Sequence, residues 1–414
     1  MTDRTVYVVG AGVSGLSAAV RLAGRGVRVV VLESAAQAGG RCRSYHDAQL
    51  DMVIDNGNHL ILSGNHATMG YLAAVGAADQ LVGPATAEFD FCDVRDGRRW
   101  RLRANPGPVP WWMFAKDRRT PGASALDHLG LAALAAPQGS RSLGEAIRSS
   151  GPLWERLLEP VMLAALNTDP REASAALAAA VVRETIALGG RAYAPRIAAN
   201  GLAAAFVDPA LAFVRSRGGE VRLGARVESL DTEHERVGRL QVGGEPIEVG
   251  TNDGVILATP PGVTTALVPG TPAPRAFRAI VNGHFKVDAP AGAPRMVGVI
   301  GGVAQWLFAF DGRISVTVSG ADALADRPRE EIAASFWSDI GKVYGLSGAP
   351  PAWRIVKERR ATFAATPAES KRRPGARTSM RNLALAGDWT DTGLPATIEG
   401  AVRSGHKAAR IVAP

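Results

Sequence analysis

Cysteine is nearly absent: Cys42 and Cys92 are the only two in 414 residues, and their spacing suits neither a metal site nor a redox pair. That scarcity excludes a disulfide-built fold, so both thiols are expected to be reduced and packed. Aromatic residues make up only 6% of the chain. Long apolar runs are missing as well. No window approaches the roughly 18 apolar residues of a spanning helix, so any membrane contact is expected to be peripheral. The first apolar run begins within a few residues of Met1, which leaves no room for a signal peptide. A cytoplasmic protein is therefore expected, with any membrane contact at the inner face of the cytoplasmic membrane. No low-complexity linker, internal repeat or nucleic-acid motif is visible, and no nucleic-acid partner is expected.

What is present begins with charge and length. The formal net charge is +8, with arginines dispersed apart from RDGRRWRLR (95–103) and KRRPGAR (371–377). Without a nucleic-acid motif, such a balance reads as a basic surface or as contact with an anionic membrane. The 414 residues, 46% of them hydrophobic, suffice for two domains and a large core.

The stretch Thr5 to Ser44 organises the rest. TVYVVG is a β-branched run that ends in Gly10-Ala11-Gly12-Val13-Ser14-Gly15, and LSAAVRLAGRG after it reads as a helix. Gly10 allows the tight turn, Gly12 lets a pyrophosphate approach the backbone, and Gly15 lets the helix pack on the strand. Free amides of the first helical turn then face the phosphates. A second apolar strand, VRVVVLE, ends at Glu33, which with Ser34 beside it suits a ribose hydroxyl pair.

The segment Ala38-Gly39-Gly40-Arg41-Cys42-Arg43-Ser44 resembles the GGR-x-x-S stretch of FAD enzymes in the amine oxidase and phytoene desaturase superfamily. An NAD site has no use for it. A glycine pair beside an arginine suits an anion at close range. Near the other end, Gly387-Asp388-Trp-Thr-Asp-Thr-Gly393-Leu-Pro-Ala-Thr397-Ile398-Glu399-Gly400-Ala401 resembles the GD…EGA motif of the same enzymes. There the aspartate receives a ribityl hydroxyl and the helix N-terminus stabilises charge at the flavin edge. Arg226-Val227-Glu228 matches the place where such enzymes offer a valine backbone to the adenine. The resemblance implies one FAD and an α/β fold: a Rossmann-like FAD domain of the GR2 type, with a parallel sheet in ββα arrangement, plus an α+β substrate domain with a mixed sheet and helices. The expected divisions are 1–66, 200–263 and 362–414 for the FAD domain, and 67–199 with 264–361 for the substrate domain.

Two stretches resemble one branch of that superfamily, the hydroxysqualene dehydroxylases of bacterial hopanoid synthesis. Asp55-Asn56-Gly57-Asn58-His59 is similar to their DNGQH segment, with Asn58 where glutamine is usual, and in that superfamily an Asp-x-Gly segment at this place carries the chain past the flavin ring. PVMLAALNTDP (160–170) is similar to their PLCLAALNTP helix. The resemblance implies reductive removal of a hydroxyl from a C30 isoprenoid to give squalene. Desaturation of a carotenoid-type substrate runs the same hydride the other way, and an amine oxidase or a flavin-holding lipid carrier are further readings. His59 reads either as the proton donor or as a histidine satisfied by backbone beside the cofactor. Asp55 is the alternative donor if burial raises its pKa. Asn167 reads either as a helix terminator or as a polar group in a greasy cavity. No second GxGxxG is visible, so the electron donor is left open. Pro108 to Arg119, around Trp111-Trp112-Met113-Phe114, reads either as an interfacial anchor or as a loop packed over the core.

Overall fold

The structure, a computed structural model, describes residues 4–414. Its centre is a five-stranded parallel sheet in the order Glu220–Leu223, Arg28–Glu33, Thr5–Val9, Gly254–Leu257 and Leu383–Leu385. The central strands Thr5–Val9 and Arg28–Glu33 are short β-branched runs because both faces are covered, whereas the edge strand Glu220–Leu223 is largely exposed. Val6, Val8, Val29, Val31 and Ile256 pack on one side. Val9, Val30, Leu32, Val255 and Leu257 pack on the other. The helix Val13–Ala23 leaves the first strand through the glycine turn and lies against the C-terminal helix Ile398–Val412. Their approach is so close that a Cβ on Gly405 would fall 2.1 Å from Ser17 Oγ. The chain's two ends therefore meet across one face of the sheet.

A second layer is a seven-stranded mixed sheet in the order Trp353–Phe363, Phe277–Phe285, Arg313–Val318, Trp306–Phe310, Met296–Ile300, Glu88–Asp93 and Arg99–Arg103. Its neighbours are antiparallel except for the parallel pair Glu88–Asp93 and Met296–Ile300. The amphipathic helix Arg329–Tyr344 covers one face, with Phe336 seated where Gly283 leaves room: a Cβ there would lie 2.7 Å from the ring. On the opposite face Asn282 and His284 of one strand and Arg313, Ser315 and Thr317 of its neighbour form a polar stripe that meets Val53, Asn56 and Asn58.

The helix His66–Ala74 stops where Gly76 takes φ +73°. A left-handed glycine ends helices cheaply because it has no Cβ to clash. Pro160 lies inside a continuous helical run, where the π-helical turn Trp154–Leu158 just before Glu159–Leu166 accommodates its missing N–H.

The helix His66–Ala74 has no cap of its own. Its first amides donate instead to Glu399, at 3.1 Å from Ala67 and 2.8 Å from Thr68, and the Thr68 hydroxyl adds a third bond at 2.7 Å. Arg403 joins that carboxylate to Glu184. Glu399 is only 2% exposed, so truncation would leave buried donors unpaired. Glu399→Ala is expected to lower stability by about 2–4 kcal/mol, read from urea unfolding followed by circular dichroism.

Candidate active site

The two glycine turns form a single cradle. Gly10, at φ +105°, accepts no side chain, since a Cβ would lie 2.6 Å from Ala258 O; one on Gly15 would lie 2.0 Å from Gly10 O. Gly12 differs. Its backbone is extended (φ −73°, ψ 173°), and a Cβ there meets no protein atom within 4 Å. Gly12 also pairs with Gly39 as an isolated parallel bridge, and the Gly39 N–H donates to Ala11 O at 2.9 Å. No side chain caps the helix that starts at Val13, so its first amides stay free over the open side of Gly12, with Ser14 buried in that turn. Such a concavity fits a pyrophosphate.

Glu33 closes one end. Its Oε2 accepts from Ala11 N at 2.7 Å and its Oε1 from Ala35 N at 2.9 Å, with Ser34 Oγ at 3.3 Å. The Ala225 N–H donates to Glu33 O, which sets Val227, the buried first residue of strand Val227–Glu233, beside the same end. This is the arrangement that a ribose and an adenine require.

Arg41 leads to the other end. After Gly40, at φ +55°, its guanidinium donates to Asp388 Oδ1 at 2.7 Å and to Ala361 O. The Arg41 side chain is 45% accessible. Asp388 raises the Arg41 pKa further above its ordinary value. Gly387, at φ +145°, lets the Trp389 indole fold back, with a Cβ falling 2.5 Å from Trp389 Nε1. Arg373, 7% exposed, grips the same turn through Asp388 O and Thr392 Oγ1, each at 3.1 Å. Thr397 caps the C-terminal helix by accepting from Gly400 N, and Ile398 begins it.

Near Arg41 and Asp388 lies a small cavity lined by Asp55, Asn58, His59, Ile197, Ala198, Leu202, Phe308 and Phe310, with about 10 Å³ of space. No hydrogen bond joins the His59 ring to any described residue. Burial, helped by Arg41, lowers its pKa to about 4, while Asp55 and Asp388 pull the other way. The expectation of a histidine satisfied by backbone therefore finds no partner in the structure.

Asp55 and Asn167 are both hydrogen-bonded within the fold. Asp55 accepts from Ser44 Oγ at 2.6 Å and from Leu202 N at 2.8 Å, and Arg313 stands 3.7 Å away. Ser44 Oγ in turn accepts from Ala203 N, so the pair caps the helix Leu202–Phe206. Both bonds fall on Oδ1, and Asp55 also lines the cavity beside His59. Asn167 has to be corrected as a cavity residue. It ends its helix at φ +47°, its amide donates to Thr362 Oγ1, and its oxygen accepts from Gly320 N.

The loop bearing His59 rests on residues that the motifs did not flag. Asn282 and His284 face Thr317 and Ser315 across one ladder. Thr317 donates to Asn282 Oδ1 at 2.8 Å and accepts from Asn58 Nδ2 at 3.0 Å, and His284 Nδ1 lies 2.9 Å from Ser315 Oγ. Gly57 passes so close that a Cβ would lie 3.1 Å from Asn282 Nδ2. The signal was available as polar residues at alternate positions in VNGHF and RISVTV.

The family profile of flavin-containing amine oxidoreductases matches residues 13–413. The chain is 54% identical to a hydroxysqualene dehydroxylase from Rhodopseudomonas palustris, over 99% of this chain and 98% of that one. It is 43% identical to one from Zymomonas mobilis, over 97% of both chains. Among solved structures, putrescine oxidase superposes with a TM-score of 0.71 at 19% identity, covering 99% of both chains. Cyclohexylamine oxidase from Brevibacterium oxydans gives 0.70 at 19%, over 99% of this chain and 98% of that one. At such identities the structures speak for the fold alone.

Proposed function

Since the chain belongs to the hydroxysqualene dehydroxylases, within the flavin-containing amine oxidoreductases, we infer that it is an FAD-dependent oxidoreductase that converts hydroxysqualene to squalene. The observation that carries this reading is the end-to-end likeness to relatives of that name. In its reduced form FAD supplies the hydride that replaces the departing hydroxyl, so that hydroxysqualene, one hydride and one proton balance as squalene and water.

The residues divide accordingly. Gly10, Gly12, Ser14 and Gly15 hold the pyrophosphate with Gly40 and Arg41. Glu33, with Ser34, holds the adenosine ribose, and Val227 the adenine. Gly387 and Asp388 take the ribityl chain, and the helix start at Thr397 and Ile398 supports the anionic edge of the ring. Gly57, Asn58 and His59 border the ring on the substrate side. His59 delivers the proton to the leaving hydroxyl, and the apolar walls from Ile197, Phe308 and Phe310 keep water from the reacting carbon. In this reading the reacting end of the C30 chain lies against the cavity beside His59, and the remainder runs along the adjoining apolar cluster. The same reading expects peripheral contact with an anionic membrane and an electron donor outside this chain.

A low His59 pKa has a kinetic signature. The imidazolium is the acid, and its fraction falls about tenfold for each pH unit above its pKa. Single-turnover rates of the reduced enzyme are expected to rise as pH falls from 8 and to level off near 4. In His59→Ala the slope should vanish. The substrate assignment is tested by giving reduced enzyme hydroxysqualene or phytoene and weighing the products. Squalene from the first alone is expected, and desaturated phytoene made by the oxidised enzyme would overturn it.

A further inference from the structure

Nine large apolar side chains are exposed among the described residues, and six of them, Val109, Trp111, Phe114, Leu126, Leu129 and Leu188, fall on three segments that touch. The Trp112 ring meets the His128 ring edge-on at 5.3 Å, joining the turn Trp111–Phe114 to the helix Ala125–Leu129. Leu188 is brought alongside because the Gly190 N–H donates to Asn105 O at 3.0 Å and the Arg191 N–H to Pro106 O at 3.2 Å. The loop is braced from within. Asn105 donates to Gly107 O and Val109 O and accepts from Trp112 N. Trp111 at 66% and Phe114 at 63% exposure are thus held outward by a built turn.

Cations ring this patch. Arg103, Lys116, Arg118 and Arg191 are exposed and form no salt bridge with any described residue, and the Arg103 N–H donates to Arg118 O at 3.1 Å. The anions nearby are Glu88, opposite Arg103 and 3.8 Å from Arg101, with Asp117 and Asp127, the last occupied in capping its own helix through Ser124. An apolar centre with a cationic rim is complementary to an anionic bilayer, whose headgroups meet the cations while indole and phenyl rings enter the interface.

The underside of the same turn continues inward. Trp112 and Met113 are buried in a cluster with Tyr193, Ile197 and Phe308. Ile197 and Phe308 also line the His59 cavity. We propose that this three-segment patch docks on an anionic phospholipid surface and that the isoprenoid passes from the bilayer, past Trp112, to His59. The docking stands on the patch itself, whereas the passage rests on the isoprenoid reading above.

The test uses the FAD-loaded enzyme and vesicles of phosphatidylcholine, with or without phosphatidylglycerol. Wild-type protein is expected to sediment with the anionic vesicles at least about tenfold more strongly than with the neutral ones, and less so at high salt. Trp111→Ser with Phe114→Ser should weaken that binding by at least about tenfold, with flavin absorbance unchanged as the check on folding. Turnover of hydroxysqualene embedded in vesicles should fall with it, while turnover of detergent-dispersed hydroxysqualene is retained. Equal vesicle binding by the double variant would overturn the docking. So would self-association of the wild type that the variant abolishes, since a second copy would then cover the patch. Equal loss of turnover in detergent and in vesicles would overturn the passage. Absence of any turnover in detergent by the wild type would instead refute the isoprenoid reading and leave the vesicle result to decide the docking.

Discussion

Gly12→Val is expected to give a folded protein that purifies without flavin. Its neighbours in the motif do not permit so clean a result, because a Cβ on Gly10 or Gly15 strikes backbone at 2.6 Å or 2.0 Å. Those two glycines are needed by the apoprotein itself. Gly12 has an ordinary extended backbone, and a Cβ there has no protein atom within 4 Å. A side chain at this position therefore costs the fold little and obstructs whatever lies against the free amides of the following helix. Affinity for FAD should fall at least about 100-fold, equivalent to about 2.7 kcal/mol, measured by fluorescence titration of the apoprotein. Urea unfolding of the apoprotein should stay within about 1 kcal/mol of wild type. Gly15→Val, by contrast, should fail to accumulate as soluble protein. Normal flavin affinity in Gly12→Val would place the pyrophosphate somewhere else.

His59→Ala is expected to keep its flavin and its stability and to lose about 10²- to 10⁴-fold in single-turnover rate, the usual contribution of a positioned acid. Because no described residue hydrogen-bonds the ring, truncation leaves no protein group unpaired. Asp55→Asn offers a contrast. That carboxylate accepts from Ser44 Oγ and Leu202 N and faces the buried Arg313, so the substitution should appear mainly as lost stability. His284, fully buried and tied to Ser315, belongs with Asp55 in this respect. Unchanged turnover in His59→Ala would remove that residue from the chemistry.

Local motifs made the nucleotide half of the site legible. GxGxxG, the terminal glutamate and GGR are each contiguous, and each reports a backbone shape that only glycine or one acid can satisfy. Their assembly into one cradle was less accessible. The contact between Gly12 and Gly39 and the Arg41 to Asp388 bond, which spans 347 residues, follow from the parallel sheet and not from any spacing in the chain. Asn167 was ambiguous because asparagine ends a helix and lines a cavity equally well. Only the positions of Thr362 and Gly320 decide between them. The polar stripe under the His59 loop was written at alternate positions of two strands, yet apolar neighbours made both segments read as ordinary sheet. The cap that Glu399 gives to the helix at His66 is a pairing of two helix starts and leaves no local pattern at all.

The most direct measurement is an anaerobic single turnover followed at the flavin absorbance. When hydroxysqualene is mixed with the fully reduced protein, the oxidised spectrum should return, with one squalene formed per flavin. A spectrum that stays reduced in the presence of hydroxysqualene, with no squalene detected, would contradict the account.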